Sequence, residues 1–83
     1  MKLVFHGKFA EIAGSNEIVL PCPAGITTLD GLRGWLTASL PSLGAVVGDR
    51  GAATIINQVI VRDMRHPVRD GDEVAFLPPM SGG

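Results

Sequence analysis

The fold is decided by residues 70–77, Asp70-Gly71-Asp72-Glu73-Val74-Ala75-Phe76-Leu77, where a turn signal leads directly into an apolar strand. An Asp-Gly pair favours a tight turn because glycine tolerates a positive φ and aspartate bonds to its own backbone. The residues that follow are typical of a strand, and we predict the last strand of the chain over residues 73–77. We expect it to pair with the first strand at the centre of a sheet.

Upstream of residue 70, apolar periodicity predicts strands and helices in alternation. Thr27 or Thr28 can cap a long helix, and Pro41 disfavours helical geometry in the residue before it. Residues 42–53, rich in Gly and Ala, are expected to form a loop. The predicted strands span residues 2–6, 16–20, 54–56 and 59–61, and the predicted helices span residues 8–13 and 29–40. A mixed sheet packed on one long helix, with a second short helix, accommodates this order, so we predict an α+β fold of the β-grasp (ubiquitin-like) type.

Length and composition favour one small domain. The chain has 83 residues, of which 46% are hydrophobic, and its net charge is -1 with scattered basic residues. We predict a β-grasp domain over residues 1–77 and an extended, flexible tail over residues 78–83. Neither nucleic acid nor a membrane is an expected partner, since the chain lacks a basic patch and a run of ~20 apolar residues. We expect a cytoplasmic location.

The side chains do not form a recognisable catalytic or metal-binding motif. His6 and His66 are the only histidines and Cys22 is the only cysteine, so no metal site is predicted. Cys22 is interpreted as an incidental loop thiol rather than a transfer thiol, because no basic group adjoins it in sequence. Asp70 and Asp72 are interpreted as turn residues. If the chain carries a reactive group, we therefore expect that group to lie outside its side chains.

The last six residues have the composition of an arm that enters another protein. Two prolines favour an extended path, and six extended residues reach about 20 Å. Glycine has no side chain to obstruct a narrow channel. The proposed insertion segment is Pro78, Pro79, Met80, Ser81 and Gly82, and it presents the carboxylate of Gly83.

Across the whole chain these features resemble the MoaD/ThiS family of ubiquitin-like sulfur carriers. The strongest matches are residues 70–76 and 78–83, and weaker ones are Asn57-Gln58, His66-Pro67 and residues 11–14. The double proline before Gly-Gly is more similar to the molybdopterin-synthase branch than to the thiamine-pathway carriers.

The resemblance implies a function in molybdenum cofactor biosynthesis. An E1-like adenylyltransferase would use ATP to activate Gly83, and a sulfur donor protein would convert it to a thiocarboxylate (1-thioglycine). The tail would then donate sulfur to cyclic pyranopterin monophosphate inside a large catalytic subunit, in an expected heterotetramer. The chain would bind no cofactor of its own and would be the non-catalytic small subunit of a sulfurtransferase complex.

Strand alternation predicts a second functional feature, an apolar docking face on the sheet. The face toward the helix is predicted to hold Leu3, Phe5, Val59, Val61, Val74 and Phe76. The opposite face is predicted to hold Val4 and four partner-binding residues, His6, Ile60, Ala75 and Leu77. The resemblance implies that this surface binds both the activating enzyme and the large subunit. His6 departs from the aromatic residue often found there in the family.

Three alternatives stay open from the sequence. The chain could be a ubiquitin-like modifier that joins Gly83 to lysines of other proteins. It could carry sulfur for another pathway, such as cysteine, thiamine or tungsten-cofactor assembly. It could also be a β-grasp binding module with an inert tail.

Overall fold

The structure is a computed structural model that describes residues 1–47 and 52–78. In chain order these residues form β1 (Lys2–Phe5), α1 (Lys8–Ala13), β2 (Glu17–Val19), α2 (Leu29–Ser39), α3 (Pro41–Val47), β3 (Ala53–Ile56), β4 (Val59–Val61) and β5 (Glu73–Leu77). All five predicted strands and both predicted helices are present, and the α+β, ubiquitin-like β-grasp fold is confirmed.

The sheet is mixed, and its strand order is β2-β1-β5-β3-β4. β1 runs parallel to β5 and pairs Leu3 with Val74 and Phe5 with Phe76. The other three pairings are antiparallel. Because β5 has a hydrogen-bonded neighbour on each side, the predicted pairing of the first and last strands at the centre of the sheet is confirmed.

The end of α1 and both ends of α2 lie at recognisable signals. α1 is followed by Gly14, whose φ of 77° is the left-handed geometry typical of a helix C-terminus. α2 is capped by Thr28, whose Oγ1 accepts a hydrogen bond from the Gly31 N–H at 3.2 Å. α2 ends before Leu40, because this residue precedes Pro41 and has a non-helical φ of -136°.

The predicted loop over residues 42–53 is wrong where the chain forms α3, while residues 48–51 lie outside the described residues. Pro41 opens α3, a position that suits proline because an N–H there would have no helical partner. Leu43 and Val47 are one helical turn apart, and both are buried. Packing of these two side chains into the core therefore stabilises a helix whose composition resembles that of a loop.

The segment after β4 satisfies the first N–H groups of α2. The Leu29 N–H donates to the His66 carbonyl at 2.9 Å, and the Asp30 N–H donates to the Met64 carbonyl at 2.8 Å. Without such partners these N–H groups would be left unpaired at the start of the helix. The backbone of His66 thus holds α2 in place.

The helices pack on one face of the sheet, and the core lies between the two layers. Phe5 and Phe76 stack there with their ring centroids 5.8 Å apart. The side chains that are at least nine-tenths buried include Leu3, Phe5, Phe9, Leu29, Leu32, Leu36, Leu43, Val74 and Phe76.

Two helical glycines provide a test of the packing between α2 and α3. A Cβ added at Gly44 would lie 2.6 Å from Thr37 Oγ1, whereas one added at Gly34 would meet no atom within 4 Å. We expect Gly44→Ala to lower the free energy of unfolding by about 1–3 kcal/mol through overpacking. Gly34→Ala should raise it by roughly 0.5–1 kcal/mol through helix propensity. Urea unfolding of both variants measures the difference, and equal effects would contradict the close approach of the helices.

Candidate docking face and tail root

The tail begins where the central strand ends. Pro78 directly follows β5 and is half-buried. The remaining predicted tail residues, Pro79, Met80, Ser81, Gly82 and Gly83, lie outside the described residues. Because β5 is hydrogen-bonded on both sides, the position of Pro78 is determined by the sheet.

Gly7, which lies between β1 and α1, is next to the tail root. A Cβ at Gly7 would lie 3.3 Å from Cγ of Pro78, closer than most real Cβ contacts. Gly7 also has φ 55° and ψ -129°, a conformation that side-chain-bearing residues rarely adopt. The ladder between the strands continues beside it, since the His6 N–H donates to the Phe76 carbonyl at 3.2 Å. Because Gly7 has no side chain, the ring of Pro78 can occupy the space next to it.

The face of the sheet opposite the helices carries a continuous apolar row. The strand register places Val4 opposite Ala75, Ala75 opposite Ile55, and Ile55 opposite Ile60. Cross-strand neighbours of this kind share a face and touch. The row therefore crosses four strands, from β1 to β4.

A second row joins the first to the tail root. The register pairs Leu77 with Ala53, and the pairing of Phe5 with Phe76 places His6 beside Leu77. His6 is exposed and Leu77 is half-buried. We call the two rows together the open face, defined by Val4, His6, Ala53, Ile55, Ile60, Ala75 and Leu77.

The four partner-binding residues predicted from the sequence all lie on the open face, but they differ in exposure. Ile60 is 62% exposed, whereas Ala75 is only 6% exposed. Ala75 is small and lies between Val4 and Ile55, which cover it. These longer neighbours therefore provide most of the surface that a partner could contact. Ile55 was missed by sequence reasoning, although its alternation with the buried Ile56 could have identified it.

Val59 lies on the face predicted for it, the one toward the helices, but its side chain is 61% exposed. Val59 pairs with the buried Ile56 and so points away from the open face. It lies on the edge strand, where the helical layer no longer covers the sheet. The other five residues predicted for the helix side, Leu3, Phe5, Val61, Val74 and Phe76, are buried as expected.

The end of the open face remote from the tail is polar. Lys2 Nζ lies 3.7 Å from Glu73 Oε2, and Gln58 Nε2 donates to Glu73 Oε1 at 3.0 Å. Asn57 donates to Asp72 Oδ1 at 2.9 Å, which fixes the β3–β4 turn to the start of β5. Both turn residues have positive φ, as a two-residue hairpin requires.

The turn and loop residues singled out in the sequence have structural contacts. Asp70 Oδ1 accepts a hydrogen bond from the Cys22 N–H, and Asp72 Oδ2 accepts one from the Arg69 N–H at 3.0 Å. The Cys22 thiol is half-buried and donates to the Ile26 carbonyl at 3.4 Å. Within residues 1–47 and 52–78, no three His, Cys, Asp or Glu residues gather as a metal site would need. In those same ranges no helix has the length and apolarity needed to cross a membrane.

Two curated relatives match the chain over its full length. The molybdopterin synthase sulfur carrier subunit of Chlamydomonas reinhardtii is 36% identical, with the match covering 100% of this chain and 98% of the relative. The protein of the same name from Escherichia coli K12 is 31% identical, with coverage of 100% and 99%.

A solved structure shows the same fold. The crystal structure of SAMP1, a small archaeal modifier protein from Haloferax volcanii, superimposes with a TM-score of 0.79 at 27% identity. The match covers 100% of this chain and 98% of SAMP1. The model of the ThiS family matches residues 3–83, and the chain therefore belongs to the ThiS family of ubiquitin-like sulfur carriers.

Proposed function

We propose that this chain is the sulfur carrier subunit of a molybdopterin synthase. The observation that carries the proposal is the open face, an apolar surface that leads to Pro78 at the root of a tail with Gly82-Gly83. Full-length similarity to two proteins named molybdopterin synthase sulfur carrier subunit supports it.

In this function the chain presents its terminal carboxylate and its partners supply the catalysis. ATP activates Gly83 as an acyl-adenylate in an E1-like adenylyltransferase, and sulfur from a donor protein replaces AMP. The resulting thiocarboxylate enters the large subunit and donates sulfur to cyclic pyranopterin monophosphate. The described side chains hold the tail root in position and bind the partner.

Partner binding is assigned to the open face. The open face combines the exposed Ile60 with the half-buried Val4, Ile55 and Leu77, and covering these side chains removes apolar surface from water. The large subunit and the adenylyltransferase are the proposed occupants, and a heterotetramer of two small and two large subunits is the proposed assembly. A cytoplasmic location stays a prediction.

A second candidate function is protein modification. The similarity to SAMP1, whose name describes a modifier, favours it, since the two proteins share the same fold. The two functions share activation of Gly83 and differ in the group that attacks it. A sulfur nucleophile produces a carrier, whereas a lysine amine produces an isopeptide bond.

The tail chemistry is tested by intact mass. After incubation with the cognate adenylyltransferase, ATP and a sulfur donor, the full chain should gain the mass difference between sulfur and oxygen. The chain lacking Gly83 should gain nothing and should not support molybdopterin formation with the large subunit.

The truncated chain should unfold at the same temperature as the full chain, because the buried core side chains that the structure describes all precede Pro78. If the truncated chain still supports molybdopterin formation, the proposed role of Gly83 is wrong. Gly-Gly remnants on lysines of other proteins, without any thiocarboxylate, would favour the modifier.

Two neighbouring residues of β4 test the open face. Ile60 and Val59 are 62% and 61% exposed, but they lie on opposite faces of the sheet. We expect Ile60→Asp to weaken binding of the large subunit roughly tenfold or more, equivalent to about 1.4 kcal/mol. Val59→Asp should change the affinity less than about twofold. Calorimetry measures both, and equal losses would mean that the partner does not distinguish the two faces.

A matched pair of glycines tests the tail root. Gly7→Ala and Gly14→Ala both place a side chain at positive φ, and both should lower stability. Only the Cβ at Gly7 meets Pro78, since none of the described atoms lies within 4 Å of a Cβ at Gly14. We expect Gly7→Ala alone to slow sulfur transfer, by roughly tenfold or more, through misplacement of the tail. Single-turnover kinetics with preformed thiocarboxylate measures this, and equal rates for the two variants would contradict a positioning role for Gly7.

A further inference from the structure

The one histidine of the open face, His6, lies where that face meets the tail root. Its N–H donates to the Phe76 carbonyl at 3.2 Å, which places His6 beside Leu77 on the neighbouring strand. Neighbouring strands lie about 4.8 Å apart, and Pro78 is the next residue along the chain. His6 is exposed, whereas Leu77 and Pro78 are half-buried. His6 is therefore an exposed titratable residue next to the point at which the tail leaves the sheet.

The nearest residues of the open face are apolar. The two-residue period of a strand places Val4 on the same side of β1 as His6. Across the sheet, Leu77 pairs with Ala53, and Val4 pairs with Ala75. None of these four side chains carries a group that could accept a hydrogen bond from the imidazole. On the free chain, water therefore solvates the charge of a protonated His6.

The charged residues of the surrounding elements do not pair with the His6 ring. Glu17 is opposite Val4 rather than His6, and Glu73 lies 3.7 Å from Lys2 at the other end of β5. Within residues 1–47 and 52–78, the His6 ring forms neither a hydrogen bond nor an ion pair. The charged residues on or next to these elements are Lys2 of β1, Lys8 and Glu11 of α1, Glu17 of β2, Arg62 after β4 and Glu73 of β5.

We propose that the large subunit binds the open face only when His6 is neutral, so that protonation of this one side chain releases the partner. A protein that takes in the tail has to surround Pro78, and His6 lies on the surface that it then covers. The core of a protein interface is depleted in charged groups. Covering the ring in such surroundings removes its water without replacing it, which disfavours the charged form. The inference rests on the proposed function, because it takes the large subunit as the occupant.

The direction of the pH dependence follows from the preference for the neutral ring. Histidine is the side chain that ordinarily gains a proton between about pH 5 and pH 8. Above this range the neutral form predominates and binding is at its strongest. As the pH falls through the range, a growing fraction of the chains has to lose a proton before binding, which weakens the observed affinity. We expect binding to be roughly tenfold weaker at about pH 5.5 than at about pH 7.5.

The test is calorimetry of the full chain with the large subunit at these two pH values. His6→Gln keeps a polar side chain that cannot gain a proton. The matched control is His66→Gln, which removes the chain's other histidine. His66 belongs to the segment that starts α2, outside the open face, and its backbone carbonyl still accepts from the Leu29 N–H in this variant. The quantity compared is the ratio of the two affinities, so an effect of the substitution that is independent of pH cancels.

The unchanged chain and His66→Gln should both show the roughly tenfold ratio, and His6→Gln should show a ratio below about twofold. If His6→Gln keeps the full ratio, the proton is taken up elsewhere and the inference is wrong. If binding of the unchanged chain strengthens as the pH falls, the partner prefers the charged ring, and the inference is wrong as well.

Proton NMR of the His6 ring gives a second and more direct measurement. Its resonances are identified by their absence from the spectrum of His6→Gln. They should shift with pH in the free chain and stay at the neutral position in the complex. A His6 ring that titrates over the same range in both would contradict the inference.

The inference and the proposed function fail in different ways. If the unchanged chain binds the large subunit equally well at both pH values while Ile60→Asp binds weakly, the open face is correct and the role of the His6 proton is wrong. If the unchanged chain does not bind the large subunit at either pH, the proposed function fails and the inference fails with it.

Discussion

The pairing of β5 with β1 on one side and β3 on the other is the constraint on which the rest of the structure depends. It places Val74 and Phe76 in the core, where Phe76 stacks on Phe5. The same pairing places Ala75 and Leu77 on the open face. A shift of this strand by one residue would move every side chain to the other face, so its register, and with it the position of Pro78, is strongly specified.

In the proposed function, the work is divided between the domain that the described residues form and the tail predicted over residues 78–83. The described residues form a largely apolar sheet face, to which partner binding is proposed, and include a glycine whose missing side chain leaves room for Pro78. None of these groups needs to react, since the proposed reactive group is the carboxylate of Gly83. Binding of the open face to the partner would then hold the Gly83 carboxylate in the partner's active site. Sulfur transfer would take place between groups that are already positioned, instead of between two freely diffusing molecules.

Local signals were enough to predict most elements. The Thr28 cap, the residue before Pro41 and the Gly14 stop each act through their immediate neighbours, so they are visible in the sequence. α3 was not predicted, because its intrinsic helix propensity is low and its stability comes from burying Leu43 and Val47. Gly44 also looked like a loop residue, although in the structure it allows α3 to approach Thr37.

For the site, the sequence by itself determined which residues share a face, because alternation along a strand is a local property. It placed His6, Ile60, Ala75 and Leu77 on one side, while the reactive role of Gly83, implied by the family resemblance, stays a prediction because Gly83 lies outside the described residues. Only the tertiary structure decided how much of each side chain is accessible and which distant residues meet. Ala75 is covered by its cross-strand neighbours, Val59 lies beyond the helical layer, and Gly7 meets Pro78 across 71 positions of sequence. The exposure of a side chain and its contacts depend on the order and register of the strands. These are set by interactions between distant segments, so no single segment of the chain encodes them.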